Sequence, residues 1–145
     1  RIKDLSENAK TRTEKANALF LNILFSKNLP KLEIRTLMYL MDQDFPREFL
    51  VKVFKRYPIS FLEEFTEPFM KGYGNQFRTL LYLFERFHSN PTILNALKFA
   101  LVNRKEHHFV FHQGAILQTW QRMSLLSYKG DDKIYLDWYK SKLKQ

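Results

Sequence analysis

The sequence predicts an all-α fold, either a helical bundle or a short right-handed stack of antiparallel helical hairpins, with about seven to eight helices. Apolar and aromatic residues, among them 14 Phe, 7 Tyr and 2 Trp, recur at the spacing that forms one face of a helix. Proline and cap residues divide the chain into short helical segments, and only four glycines interrupt them. The segment 107–112 alternates polar and aromatic residues, but as a strand it would have no partner, so we expect at most a short extended connector there.

Proline residues mark most of the predicted helix starts. Pro30, Pro46 and Pro91 each precede a helix-periodic run, as expected where proline occupies the first helical position and its missing N–H has no intrahelical partner. Asn90 supplies an N-cap before Pro91. The predicted helices span about 6–27, 30–43, 46–57, 60–71, 76–89, 91–105, 112–126 and 131–144.

Further cap and stop residues set the remaining boundaries. Ser60 and Glu63 match the capping box, in which a hydroxyl and a carboxylate satisfy each other's unpaired amides. Gly72, Gly74 and Gly130 are predicted helix stops. The starts at positions 30, 60 and 91 lie 30 and 31 residues apart, which is compatible with repeated hairpins and equally with an irregular bundle.

The domain organisation is predicted from length and polarity. Residues 1–15 are polar nearly throughout and read as an N-terminal extension, while 16–145 are expected to form a single α-helical domain. The chain opens on Arg1 rather than Met, so we expect it to be part of a longer or processed polypeptide.

The charge of the chain favours polyanionic partners. It carries 24 basic and 15 acidic residues, a net charge of +9 and a pI near 9.8, which favours nucleic acid or an anionic membrane surface. The absence of cysteine excludes disulfides and thiolate sites and favours a reducing, intracellular compartment, without choosing among cytosol, nucleus and organelle. No apolar run approaches the length of a membrane span.

No motif indicates catalysis, a cofactor or a metal. His108 and His112 have the spacing of two metal ligands on a helix, but no thiolate and only one neighbouring acid accompany them. Gly72 and Gly74 lack the third glycine and the preceding strand of a dinucleotide site. We therefore predict a protein that is not an enzyme and that holds neither cofactor nor metal ion.

Two predicted helices carry cations opposite an apolar stripe. In helix 46–57, Lys52, Lys55 and Arg56 gather on the side away from the aromatic residues. These cations would meet phosphate groups if the helix faced nucleic acid. The alternative is an ordinary solvated face.

Helix 76–89 repeats this pattern with an aromatic residue among the cations. Arg78, Tyr82 and Arg86 follow one another at intervals of four residues, opposite a stripe of Phe and Leu. A tyrosine between two arginines could stack a base while the guanidinium groups bind phosphates. The alternative is again a solvated face, with Glu85 paired to Arg78 or Arg86 within the helix.

The aromatic surface near the C-terminus supports a rival prediction. Trp138 and Tyr139 lie in the last helix, and such a large aromatic surface must dock on the domain itself or on a partner. Together with Phe111 they would line a groove for a protein partner, and the domain would then be an interaction scaffold.

Two short stretches resemble organellar helical repeats. The run Met70-Lys71-Gly72-Tyr73-Gly74 is similar to the end of a pentatricopeptide-type repeat, and residues 51–62, with Pro58 after a basic helix, resemble one unit of the mitochondrial transcription-termination-factor repeat. Both resemblances imply organellar RNA or DNA binding by a helical solenoid, which adds the mitochondrial matrix to the candidate compartments. Our leading hypothesis is an RNA-binding domain, with protein interaction as the alternative.

Overall fold

The computed structural model describes residues 12–29, 47–72 and 74–144, and their regular secondary structure is entirely helical. The all-α prediction is therefore confirmed for these ranges. The chain divides into two compact units, Arg1–Phe65 and Thr66–Gln145. The α-helices are α1 (Arg12–Phe25), α2 (Arg47–Arg56), α3 (Ile59–Glu63), α4 (Thr66–Met70), α5 (Gly74–Arg86), α6 (Pro91–Val102), α7 (Gln113–Ser124) and α8 (Lys133–Leu143).

The first unit packs α1 against α2, and α2 against the short helix α3. An aromatic cluster joins α2 to the chain that follows it. The Phe54 ring stacks on Phe61 with centroids 5.8 Å apart and meets Phe65 edge-on at 5.4 Å, while Tyr57 lies 5.1 Å from Phe61. Offset and edge-on ring pairs of this kind add to the stabilisation from burial. Residues 1–11 and the helix predicted over 30–43 lie outside the described residues.

The second unit is built around α6, which packs against α4, α5, α7 and α8. Its N-terminus is the one the sequence predicts: the Asn90 side chain accepts a hydrogen bond of 3.0 Å from the Ile93 amide, and Pro91 begins the helix. The prediction of a helix from Pro91 is thus confirmed. Its C-terminus falls at Val102, a few residues before the predicted end.

Two groups of aromatic rings fill the core of the second unit. Phe77 of α5 stacks on Phe69 at 4.6 Å and lies 5.4 Å from Phe109. On the other side, Trp120 is fully buried, and its indole N–H donates to the Leu97 carbonyl of α6 at 3.3 Å. Because a buried indole N–H must find an acceptor, this bond fixes the ring against α6.

The predicted helix 60–71 is wrong, because it is two short helices separated at Glu64 and Phe65. Proline explains the break: within one continuous helix Pro68 would lack its N–H bond and clash with the preceding turn, whereas it fits the first turn of α4. The predicted capping box at Ser60 is also wrong, since α3 already begins at Ile59 and no side chain caps it.

Two smaller expectations also need correction. Gly74 is the first residue of α5 and not a helix stop. Gly72, by contrast, follows the end of α4 and has the left-handed conformation of a helix stop, with φ of 70°. The connector before α7 is not extended, because it consists of turns and a 3₁₀ helix, Val110–His112.

Candidate nucleic-acid interface

Helices α5 and α7 of the second unit pack side by side and run in the same direction. Near their starts, Arg78 Nε donates to His112 Nδ1 at 2.8 Å. Near their ends, Arg122 Nη2 of α7 donates to Glu85 Oε1 of α5 at 2.8 Å. Two polar contacts at corresponding positions therefore join the helices and bring the cations of both onto one surface.

Tyr82 lies between the two ends of this surface. The Arg86 guanidinium lies over the Tyr82 ring, 4.3 Å from its centroid, in cation–π geometry. At a rise of 1.5 Å per residue, the backbones of Arg78 and Arg86 are about 12 Å apart along α5. We call the surface formed by Arg78, Tyr82, Arg86, His112 and Arg122 the arginine face.

One carboxylate lies within the arginine face. The Glu85 side chain is only 10% exposed, and both of its oxygens accept from Arg122 Nε at 3.1 Å, while Oε2 also accepts from Arg86 at 3.0 Å. The hydrogen bond from Arg122 raises the pKa of that guanidinium. With three guanidinium groups and one carboxylate, the face keeps an excess of positive charge.

His112 adds no charge at neutral pH. Burial lowers the pKa of His112, and the neighbouring Arg78 charge lowers it further. Because Nε–H of Arg78 can only donate, His112 Nδ1 is the acceptor and is unprotonated. The imidazole therefore orients Arg78 and does not neutralise it.

The three cations predicted in helix 46–57 have different surroundings in the first unit. Lys52 and Lys55 are exposed on α2, and the Lys52 ammonium lies 5.7 Å from the centre of the Phe49 ring. The Arg56 guanidinium instead donates to the Ile23 carbonyl and so ties α2 to α1. Lys52, Lys55 and Arg56 remain candidates for phosphate contact, and Arg56 also has a structural role.

The residues of the rival docking surface are not brought together in one groove. Phe111 is 85% exposed beside the start of α5. Trp138 meets Trp120 edge-on at 5.9 Å, and Tyr139 is buried, with its hydroxyl donating to Asn95 at 3.0 Å. The aromatic residues of α8 thus pack largely within their own unit.

His108 and His112, which have the spacing of metal ligands in the sequence, each contact a different residue of the second unit. His108 packs against Gly72, where an added Cβ would lie 2.8 Å from the His108 carbonyl oxygen, and His112 bonds Arg78. Within 12–29, 47–72 and 74–144, no group of three or more potential ligands could hold a metal ion. No helix in the same ranges is both long and apolar enough to cross a membrane.

Other residues of the second unit form a polar cavity of about 340 Å³. Beneath it, Arg104 is buried and bonds Asp132, the Tyr128 hydroxyl and the Leu101 carbonyl. The cavity is lined by Val102, Arg104, Lys105, Tyr128, Gly130, Asp131 and Asp132. Since two acids and two cations line it, the cavity has no dominant charge to select an anion or a cation.

The sequence does not single out Arg122 or the role of His112 in the arginine face. Both lie some 35 residues from α5 in the chain, and only the side-by-side packing of α5 and α7 brings them to Glu85 and Arg78. No local pattern in the sequence reveals these two contacts, because periodicity does not show which helix packs beside another.

Comparison of the chain with models of protein families, with curated proteins and with solved structures finds no match. The resemblances to organellar helical repeats therefore stay predictions.

Proposed function

We propose that the second unit binds RNA through the arginine face. The observation that carries this proposal is the assembly of Arg78, Arg86 and Arg122 around Tyr82 on two adjacent helices, with Glu85 as the single acid among them. Guanidinium groups bind phosphate oxygens through paired N–H donors, and they serve as the usual cation for this purpose.

The orientation of the three arginines supports the proposal further. Each is held by a neighbour in its own unit: Arg78 by His112, Arg122 by Glu85, and Arg86 by both Glu85 and the Tyr82 ring. Cations that are oriented before binding lose less conformational freedom when a ligand arrives. Residues 66–144 hold twelve basic and six acidic residues, so the wider charge of the unit also attracts a polyanion.

The docking of a protein partner through Phe111, Trp138 and Tyr139 has less support. Tyr139 is buried and Trp138 packs on Trp120, so Phe111 is the member of this set that stays largely exposed. We therefore propose RNA as the partner of the second unit, in agreement with the leading hypothesis from the sequence.

The test is the salt dependence of RNA affinity for the wild-type chain and for the double variant Arg78→Gln, Arg86→Gln. Each phosphate contact to single strands contributes about −0.7 to the slope of log K against log salt concentration, so three arginines predict a slope near −2. The double variant should bind more weakly, and its slope should become less steep, changing from near −2 to about −0.7.

Lys140→Gln is the matched control, because Lys140 is an exposed cation on α8, outside the arginine face. It should leave both the affinity and the slope close to those of wild type. An affinity that does not fall with salt, or an equal loss in the control and in the double variant, would contradict the proposal. Lys52→Gln and Lys55→Gln test, in the same assay, whether the first unit also contacts phosphate.

A further inference from the structure

Phe111 is held in an exposed position by its neighbours on both sides. Its side chain is 85% exposed, although Phe109 two residues earlier is buried against Phe77 with centroids 5.4 Å apart. On the other side, the His112 ring stacks on Phe77 at 4.6 Å with an angle of 29°. Because Phe109 and His112 both pack on the buried Phe77 ring, the turn places Phe111 on its outside.

The same turn is bonded to the arginine face. Arg78 Nη2 donates to the Phe111 carbonyl at 3.3 Å while Arg78 Nε donates to His112. The backbone of Phe111 thus contacts a guanidinium group that we propose to bind phosphate, while the ring of the same residue is exposed. An aromatic ring beside a phosphate-binding cation is the arrangement by which proteins hold unpaired nucleotides.

Tyr82 is less suited to this role than the sequence indicates. The Arg86 guanidinium already lies over its ring, and the side chain is half-buried. The ring that is exposed for a base is therefore that of Phe111.

We infer that Phe111 is a stacking platform for an unpaired base, and that the arginine face consequently takes single-stranded rather than double-stranded RNA. This inference rests on the proposed function. A flat aromatic side chain can cover the face of a base only where no neighbouring base pair already covers it. In a duplex, Phe111 would meet the backbone or a groove and would gain no such contact.

The experiment compares a short oligouridine with an RNA duplex of the same length, using wild-type chain and the variants Phe111→Ala and Phe111→Trp. Base stacking on an aromatic residue predicts that Phe111→Ala weakens oligouridine binding about 5- to 150-fold, while Phe111→Trp retains it. The duplex should bind more weakly than the single strand and should respond little to either variant. Phe25→Ala is the matched control, because Phe25 is a 72% exposed phenylalanine of the first unit.

The outcomes separate this inference from the proposed function. If Phe111→Ala binds oligouridine as wild type does, or weakens duplex binding to the same degree, the stacking role is refuted. RNA binding that still depends on Arg78 and Arg86 would in that case leave the proposed function standing. If neither RNA binds with salt-dependent affinity, the proposed function itself fails.

Discussion

Arg104 is the best place to test the packing of the second unit. Its guanidinium is buried at the end of α6, and Nη1 donates to Asp132 Oδ2 at 2.8 Å and to the Leu101 carbonyl at 3.0 Å, while Nη2 donates to the Tyr128 hydroxyl at 3.2 Å. Asp132 Oδ1 lies 2.7 Å from the same nitrogen without a hydrogen bond, so it gains charge attraction alone. These contacts join α6 to the segment that leads into α8.

Arg104→Met keeps the apolar stem and removes the charge, which leaves Asp132 without its partner. Breaking a buried ion pair on one side costs about 3–5 kcal/mol. The Asp132 side chain is 25% exposed, and water can recover part of this loss, so we expect the free energy of unfolding to fall by about 2–4 kcal/mol. For a unit of this size the urea m-value is about 1–1.5 kcal/mol per molar, so the midpoint should fall by about 2 M.

The measurement is urea unfolding followed by tryptophan fluorescence, because both tryptophans, Trp120 and Trp138, belong to the second unit. Lys133→Met is the control, since it also exchanges a cation for methionine but breaks only the exposed pair with Asp137. Its midpoint should stay at the wild-type value. A midpoint for Arg104→Met that matches this control would refute the assignment of Arg104 to a buried stabilising network.

Of three further predictions, two concern the backbone conformation of single residues and the third concerns the titration of His112. Gly72→Ala should lower the free energy of unfolding by more than about 1 kcal/mol, because φ is 70° and the new Cβ would meet His108, whereas Gly114→Ala, with open space around it, should be neutral or raise it by up to about 1 kcal/mol. Leu125→Gly should raise the free energy of unfolding by up to about 1 kcal/mol, because Leu125 is exposed and left-handed after α7. Because the pKa of His112 is lowered from 6.5 on folding, its contribution to stability is present above pH 6.5 and declines as the pH falls below that value. As the pH is lowered below 6.5, the urea midpoint of wild type should therefore decrease more steeply than that of His112→Gln.

Local signals in the sequence were sufficient for several features of the fold. The start of α6 was predictable because Asn90 and Pro91 satisfy the helix end by themselves, with no help from distant residues. The apolar stripe predicted for helix 76–89 was predictable from its period, and all its members except Phe87 are buried: Phe77, Leu80, Leu81 and Phe84. Both predictions depend on neighbours within a turn or two of helix.

Features that depend on distant residues were not predictable in this way. Glu85 was expected to pair within its own helix, and it does bond Arg86, but its bidentate partner is Arg122. Periodicity shows which side of a helix is polar, but it does not show which other helix faces that side. The burial of Tyr139 has the same cause, because α8 docks on α6 and α7 of its own unit.

The single acid of the arginine face explains why its cations can be both clustered and fixed. Three guanidinium groups placed together repel one another, and without a counter-charge they would spread into solvent. Glu85 offsets one charge and holds Arg122 and Arg86, while His112, uncharged because burial and Arg78 lower its pKa, holds Arg78 without offsetting it. The excess charge that remains is carried by groups whose positions are set by two helices, as the proposed phosphate contacts require.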